Sequence, residues 1–393
     1  MQKIDLSNFR LATSGTAREI NRRIVLNLIR ARQPISRADL ARLSGLQRST
    51  VSLIAEQLIA DRWIVEGATG RLPRGRRPTY LRLNGDRLIL GIDIRPTATR
   101  MGVADLNARF LTQETMPTAD TPDTFLDQLT QRARRLLGSY PNASWEGIGI
   151  SLPGRADRHS HRLVFAPNLA WKDVDLKTPM EQATGLSVEL ENAANACVLS
   201  EVWFGPRSDT VQDLVVVTVS EGIGTGVFAN GQLVMGNGGF AGEFGHTVLD
   251  PAGPVCRCGN RGCWEVFASN SAALRYYTGA TPGAAPQLAF EDLLALAEQG
   301  YVRAGRALEE MARHLGAGLA LLVTGLAPSR IMVIGEVTRA WRRVDPILQR
   351  VLAERSRTHT PPEIEPAEDT AQPRLRGTIA LVIQKHFAAP PIT

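Results

Sequence analysis

The chain has only four cysteines in 393 residues, and one of them, Cys197, stands alone. That is too few and too scattered for a disulfide framework, so a reducing, cytoplasmic setting is expected. No apolar run approaches the roughly 18 residues of a membrane span. The N-terminus carries charges where a signal peptide would carry an apolar core, so no membrane partner is expected. Acidic residues are scarce in one part only. Residues 1–88 hold 17 Lys and Arg against 7 Asp and Glu, a net of +10, while the remaining 305 hold 28 against 32, a net of −4. A basic head on a mildly acidic body suggests nucleic acid at one end. A solvated basic surface is the plainer alternative.

What is present begins with 44% apolar and 21% charged residues, ordinary for a globular chain, and a length sufficient for two or three cores. In the head, Ile20, Ile24, Val25, Leu28 and Ile29 recur at helical spacing between Thr16 and Arg30. Gln33-Pro34 ends that helix. Ser36 to Asp39 fits a capping box and opens a short helix with Leu40 and Leu43 on its inner face. Ser44-Gly45-Leu46 is a tight turn, and a third helix from about Arg48 buries Val51, Ile54, Leu58 and Ile59. This is the helix-turn-helix order, which puts Gln47, Arg48, Ser49, Thr50 and Ser52 toward a major groove. Trp63–Glu66 and Tyr80–Leu83 read as two strands of a wing. Its tip carries Arg71, Arg74, Arg76 and Arg77, with Arg82 flanking, in a narrow cationic segment suited to a minor groove. A three-helix protein-binding module and a disordered basic linker are the competing readings.

After Asn84-Gly85 the pattern becomes α/β. Leu88–Ile94, Gly147–Leu152, Leu214–Val219 and Ile331–Gly335 read as buried strands. Thr124–Leu137, Ala193–Val202 and Arg306–Leu322 read as helices. A strand-turn-strand at 88–105 and a second glycine-rich turn near 222–239 hint at two similar lobes. Three of the cysteines, Cys256, Cys258 and Cys263, crowd into eight residues, with His246 ten positions before the first. One imidazole and three thiolates can close a tetrahedral zinc site. The Cys-x-Cys spacing is tighter than that of common DNA fingers and lies far from the basic head. Packed thiols without metal are the alternative.

Taken together, Leu90-Gly-Ile-Asp93, Gly149-Ile-Ser-Leu-Pro-Gly154, Ala166-Pro-Asn168, Glu191-Asn192-Ala-Ala-Asn-Ala196, Ala241-Gly-Glu243-Phe-Gly-His246 and the Cys256–Glu265 stretch resemble the ROK family of bacterial sugar kinases and sugar-responsive repressors. The order and spacing of these motifs are specific, and with the winged helix the resemblance is to the repressor branch. It implies a winged helix-turn-helix at 1–83 and, at 84–393, an actin-like ATPase (ribonuclease H-like) domain that binds sugar and oligomerises. Lobe one would span about 84–200 plus the C-terminal helix, and lobe two about 201–372. It further implies one structural zinc on His246, Cys256, Cys258 and Cys263, and a sugar held by Asn168, Asn192, Glu243, His246 and Glu265. The partners implied are double-stranded operator DNA, a sugar or sugar derivative, and further copies in a homodimer or homotetramer.

Kinase members need a carboxylate to take the proton of the attacking hydroxyl. The resemblance puts Ala193 there, and a methyl accepts no proton. The first phosphate loop keeps Asp93 but continues Ile94-Arg95-Pro96-Thr97, where proline removes an amide donor. Glu221 in the second loop and Glu336 in the third add carboxylates where phosphate would sit. The expectation is therefore a regulator and no enzyme. A sugar kinase with an attached DNA-binding head, and a regulator answering to a protein partner, are the alternatives.

Overall fold

The computed structural model describes residues 14–69, 78–157, 162–166, 168–208, 210–279, 288–355, 361–368 and 372–388. No helix among them is long and apolar enough to cross a membrane. The head comprises α1 (Ser14–Arg32), β1 (Ile35–Ser36), α2 (Arg37–Ser44), α3 (Arg48–Ala60), β2 (Ile64–Thr69) and β3 (Thr79–Leu83). Ser36 caps α2 as its spacing predicts, its Oγ accepting from Asp39 N at 3.2 Å. Gly45 ends the helix at φ 72°, a left-handed conformation open to glycine. The three strands form one small sheet in the order β1-β3-β2. Residues 70–77, with Arg71, Arg74, Arg76 and Arg77, lie outside the described residues.

Leu43 does not join the head's core as the sequence suggests; it is 48% exposed, and Leu40 and Ala41 are the buried pair of α2. At about 100° per residue, Leu43 lies roughly 110° from the middle of the Leu40–Ala41 arc. Ile59 is only half-buried. Leu26, missing from the periodic set, is fully buried with Val25 and Ile29.

Two lobes follow. The first contains β4 (Arg87–Asp93), β5 (Ala98–Asp105), β6 (Phe110–Pro117), α4 (Pro122–Gly138), β7 (Ser144–Leu152), β8 (Arg155–Ala156), β9 (Leu163–Ala166), β10 (Trp171–Val174), α5 (Lys177–Thr184), β11 (Val188–Asn192) and α6 (Ala193–Phe204). The second contains β12 (Leu214–Val219), β13 (Ile223–Ala229), β14 (Gln232–Leu233), α7 (Glu265–Ala268), α8 (Asn270–Thr278), α9 (Phe290–Glu298), α10 (Val302–Leu326), β15 (Arg330–Ile334), α11 (Trp341–Arg355) and β16 (Glu363–Pro366), and α12 (Pro373–Phe387) closes the chain. The main sheets run β11-β7-β4-β5-β6 and β14-β13-β12-β15-β16. In each, the first strand pairs antiparallel with the second and parallel with the fourth. The two lobes therefore repeat one topology, the actin-like arrangement expected from the sequence.

Helices α6 and α12 tie lobes and head together. The two pack against each other. They cross so closely that a Cβ at Gly377 would lie 1.9 Å from the Ala196 carbonyl oxygen. Both begin near the interlobe cleft and end at the head, spans of about 18 and 22 Å for their 12 and 15 residues. At the far end, Asn27 Nδ2 donates to the Phe387 carbonyl and Arg23 Nη1 donates to that of Ala388 at 2.7 Å. Arg30 Nη1 donates to the Trp203 carbonyl at 2.7 Å. Trp63 of the head packs at a tilt against His386, ring centroids 4.7 Å apart, and lies 3.9 Å beneath the Arg87 guanidinium. Burial, reinforced by Arg87, lowers the His386 pKa to about 4 and keeps the ring neutral in this apolar joint. The buried side chains of the head and those of α12 form one continuous cluster. The head is bolted to the body.

Candidate sugar cleft and metal cluster

A cavity of about 180 Å³ opens between the lobes, with Glu191–Asn195 at the start of α6 on one wall and Ser220–Thr225 on the other. That is below the roughly 300 to 1,000 Å³ of drug-sized pockets and suits a single small ring. Asn168, Asn192, Glu243, His246 and Glu265, the five residues singled out for sugar, all line it. Glu243 sits between two partners: Arg155 Nε at 3.3 Å from Oε1 and His246 Nε2 at 3.7 Å from Oε2. Glu265 Oε2 accepts from Ile223 N at 3.1 Å, which fixes the carboxylate at the cleft floor. Asn192 is committed more deeply than its sequence position reveals. Its Oδ1 caps α6 by accepting from Ala194 N at 2.8 Å, and its Nδ2 donates to the Gly154 carbonyl at 2.6 Å. Asn168 Oδ1 accepts from Arg257 Nη1 at 2.6 Å.

His246, Cys256, Cys258 and Cys263 converge, with one ligand atom from each lying within 4.8 Å of the others. Cys256 Sγ is 3.7 Å from His246 Nδ1, and Cys258 Sγ is 3.7 Å from Cys263 Sγ. Zinc–sulfur bonds of about 2.3 Å at tetrahedral angles place sulfurs roughly 3.8 Å apart, so these donors fit a tetrahedral ion. Nδ1 faces the thiols and Nε2 faces Glu243. Burial pushes the Cys263 thiol up to about 11 and raises that of Cys256 as well. A bound cation reverses that preference by taking them as thiolates.

At the opposite end of the cleft the chemistry differs. Ala193 is buried at the position of the expected base. Asp93 is fully buried; its Oδ1 accepts from Ser151 Oγ at 2.7 Å and its Oδ2 from Arg95 Nε at 2.7 Å. Both oxygens are engaged. Pro96 and Glu221 also line the cleft here, and Glu336 Oε2 accepts from Asn270 Nδ2 at 3.0 Å.

The ROK family profile matches residues 89–385. The chain belongs to the ROK family. It is similar to the xylose repressor of Bacillus subtilis (strain 168), 32% identical over 327 residues covering 82% of this chain and 84% of that one. A crystal structure of a ROK family transcriptional regulator, a homolog of the Escherichia coli MLC protein, superposes with a TM-score of 0.79 at 24% identity, covering 95% of this chain and 98% of that one. The likeness of fold extends through the head. A ROK family glucokinase from Streptomyces griseus, in complex with glucose and AMPPNP, gives a TM-score of 0.67 at 30% identity, covering 76% of this chain and 99% of that one.

Gln47, Arg48 and Ser49 are exposed at the start of α3, with Thr50 and Ser52 half-buried beside them. Val51, Ile54, Ala55 and Leu58 fill the opposite face. Arg74, Arg76 and Arg77 lie outside the described residues. Sequence reasoning missed Arg155 and Arg257, which bridge the two lobes at the cleft mouth through Glu243 and Asn168. It also missed Glu191, a buried carboxylate whose Oε1 accepts from Asn192 N at 2.8 Å and from Asn195 Nδ2 at 3.0 Å. Glu191 and Asn195 could have been found, since both belong to the same motif as Asn192. The two arginines carry no local signal.

Proposed function

We propose that this ROK protein is a DNA-binding transcriptional repressor whose hold on its operator is controlled by a sugar in the front of the interlobe cleft. The observation that carries the reading is the pair α6 and α12, which start at the cleft and finish in the core of the head. Residues 1–83 form the DNA-binding unit, with Gln47, Arg48, Ser49, Thr50 and Ser52 in the major groove and Arg74, Arg76 and Arg77 in the wing. Residues 84–393 form the sugar-binding and oligomerisation unit, with lobe one at about 84–200 plus the C-terminal helix and lobe two at about 201–372. The protein acts in the cytoplasm as a homodimer or homotetramer, since paired half-sites demand paired heads.

Sugar hydroxyls compete for the groups that join the lobes. Glu243 bonded to a sugar leaves Arg155, and Asn168 bonded to a sugar leaves Arg257. The exposed Glu243–Arg155 ion pair contributes at most about 1 kcal/mol, so a ligand displaces it readily. The lobe angle then changes, α6 and α12 carry the change to the two heads, and the operator is released. A sugar achieves this only through its preference for one arrangement. His246, Cys256, Cys258 and Cys263 would hold one zinc, which supplies a fixed frame and sets the imidazole tautomer. The protein's own residues do the recognition, with Glu243 and Glu265 accepting hydroxyl hydrogens and Asn168 and Asn192 orienting the ring. With Ala193 at the base position and Asp93 fully engaged, the protein is not an enzyme.

The test is to select duplexes from a random DNA pool with the full-length protein, then follow release by fluorescence anisotropy across a sugar library. One sugar should shift the binding curve, and Arg48→Ala should cost about 1 to 3 kcal/mol on the selected sequence. A pool that never enriches removes the operator reading. ATP-dependent turnover of any library sugar would favour the kinase instead.

A further inference from the structure

The side chains of α3 can be placed around its axis at about 100° per residue. Val51, Ile54, Ala55 and Leu58 are buried and share one arc, which packs into the core of the head. The opposite arc carries Ser49, Ser52, Leu53, Glu56 and Ala60, with Ser52 half-buried and the other four exposed. Four of the five are polar or small. Leu53 is neither, and it is 53% exposed. Counted around the helix, Leu53 lies roughly 30° from the direction that points straight away from the core. Packing of α3 on the head therefore gives no reason for a leucine there.

Isolated apolar side chains are common on protein surfaces, so exposure alone decides nothing. Position does. Leu53 stands one turn beyond Ser49 and about 7.5 Å along the axis from Arg48, both of them exposed at the start of α3. It therefore faces whatever that end of the helix enters. The net charge of +10 on residues 1–88 favours a duplex there over an apolar protein surface. A second copy of α3 does not fill the role, because the recognition helices of paired heads lie about 34 Å apart, each facing its own half-site. A leucine has no donor or acceptor, so phosphates and the polar edges of adenine, guanine and cytosine give it nothing to hold. The one apolar group that a base presents in the major groove is the thymine 5-methyl.

We propose that Leu53 reads sequence, packing on the 5-methyl group of one thymine in each half-site, about two base pairs from the pair that Arg48 contacts. The separation follows from the 7.5 Å rise between the two residues and a duplex rise of about 3.4 Å per pair. The inference rests on the repressor reading and narrows it. The operator must carry a thymine at that step, and the methyl, rather than a hydrogen-bonding edge, is what the protein recognises.

The duplex that the full-length protein enriches from a random pool supplies the test. It is resynthesised with deoxyuridine in place of thymine, one position at a time, and binding is followed by fluorescence anisotropy at fixed ionic strength. Uracil keeps every hydrogen-bonding atom of thymine and lacks only the methyl. At one thymine per half-site the change should weaken wild-type binding about fourfold, and about sixteenfold when both half-sites carry it, as the loss of a buried methyl requires. Leu53→Ala should bind the thymine duplex severalfold more weakly and should no longer distinguish thymine from uracil there. Leu53→Met, which keeps an apolar chain of similar volume, should restore the distinction. Leu43→Ala, at the exposed leucine of α2, should leave it intact, since the helix before the recognition helix crosses the backbone and reads no base. Arg48→Ala should relax selection about two pairs from the same thymine. All these positions are exposed, so none of the substitutions opens the core. A duplex in which no thymine methyl matters, or an unchanged thymine preference in Leu53→Ala, overturns the assignment and leaves the operator reading standing. A Leu53→Ala protein altered only in its oligomeric state overturns it too, and gives the leucine to a contact between copies. A pool that never enriches removes the operator reading and this inference together.

Discussion

The two ends of the interlobe cleft have the same walls and opposite fates. At the front, Glu243, His246 and Glu265 converge beside the Cys256–Cys258–Cys263 cluster, with carboxylate oxygens facing the space a ring would fill. At the back, Ala193 offers only a methyl, Arg95 and Ser151 engage both oxygens of Asp93, and Glu221 and Glu336 add carboxylates. A phosphotransfer site needs both ends at once, whereas a sensor needs only the end that touches sugar.

The comparison breaks most visibly at the metal cluster. Cys258→Ser should remove about one zinc per chain and roughly 4 kcal/mol or more of stability, because metal binding is coupled to local folding. Metal analysis with thermal unfolding measures both. A wild-type protein free of zinc yet normally stable would reduce the front end to packed thiols. A smaller effect is expected from Glu243→Gln, which keeps shape and removes charge. Sugar affinity should fall by about 1.5 to 3 kcal/mol, while operator affinity without sugar holds, giving a repressor that binds and does not let go. Loss of DNA binding with sugar affinity intact would make Glu243 a structural residue. The smallest effect is expected at the back. Ala193→Asp restores a carboxylate at the base position but leaves Asp93 engaged, so a coupled ATP assay on hexoses and N-acetylated hexosamines should stay at background. Turnover in that variant would show that the two ends are less divided than they look.

Local physics was readable from the sequence, and long-range pairing was not. Ser36 with Asp39, the Gly45 turn and the amphipathic pattern of α3 each depend on neighbours a few positions away, and they form as their spacing dictates. β12 spans Leu214–Val219, the same bounds as its apolar run. The front-end residues were legible because they sit in motifs of distinctive composition. Arg155, Arg257 and Arg374 were not, since an arginine in a two-residue strand, a loop or a first helical turn reads as solvated until its partner across the cleft is known. Leu43 failed for a related reason. Helical spacing names a face, but only the packing of α2 on its neighbours decides where the buried arc is centred. The joint of Trp63 with His386 and Phe387 was invisible because it unites residues more than 300 positions apart.

That joint bears on how the protein is made. Helix α12 packs on β4 and β7 of lobe one and receives the head at Phe387 and Ala388, yet it is built from residues 373–387. A ribosome delivers the head long before the support on which it rests. Until residue 388 has left the exit tunnel, Asn27 and Arg23 have no carbonyls to bind and Trp63 lacks its cover. Any chain cut short before Pro373, by a premature stop or by a protease, carries the N-terminal head on an unsupported mount. If copies pair as proposed, heads on truncated chains would not keep a fixed separation, so truncated copies should not occupy paired half-sites in competition with finished ones.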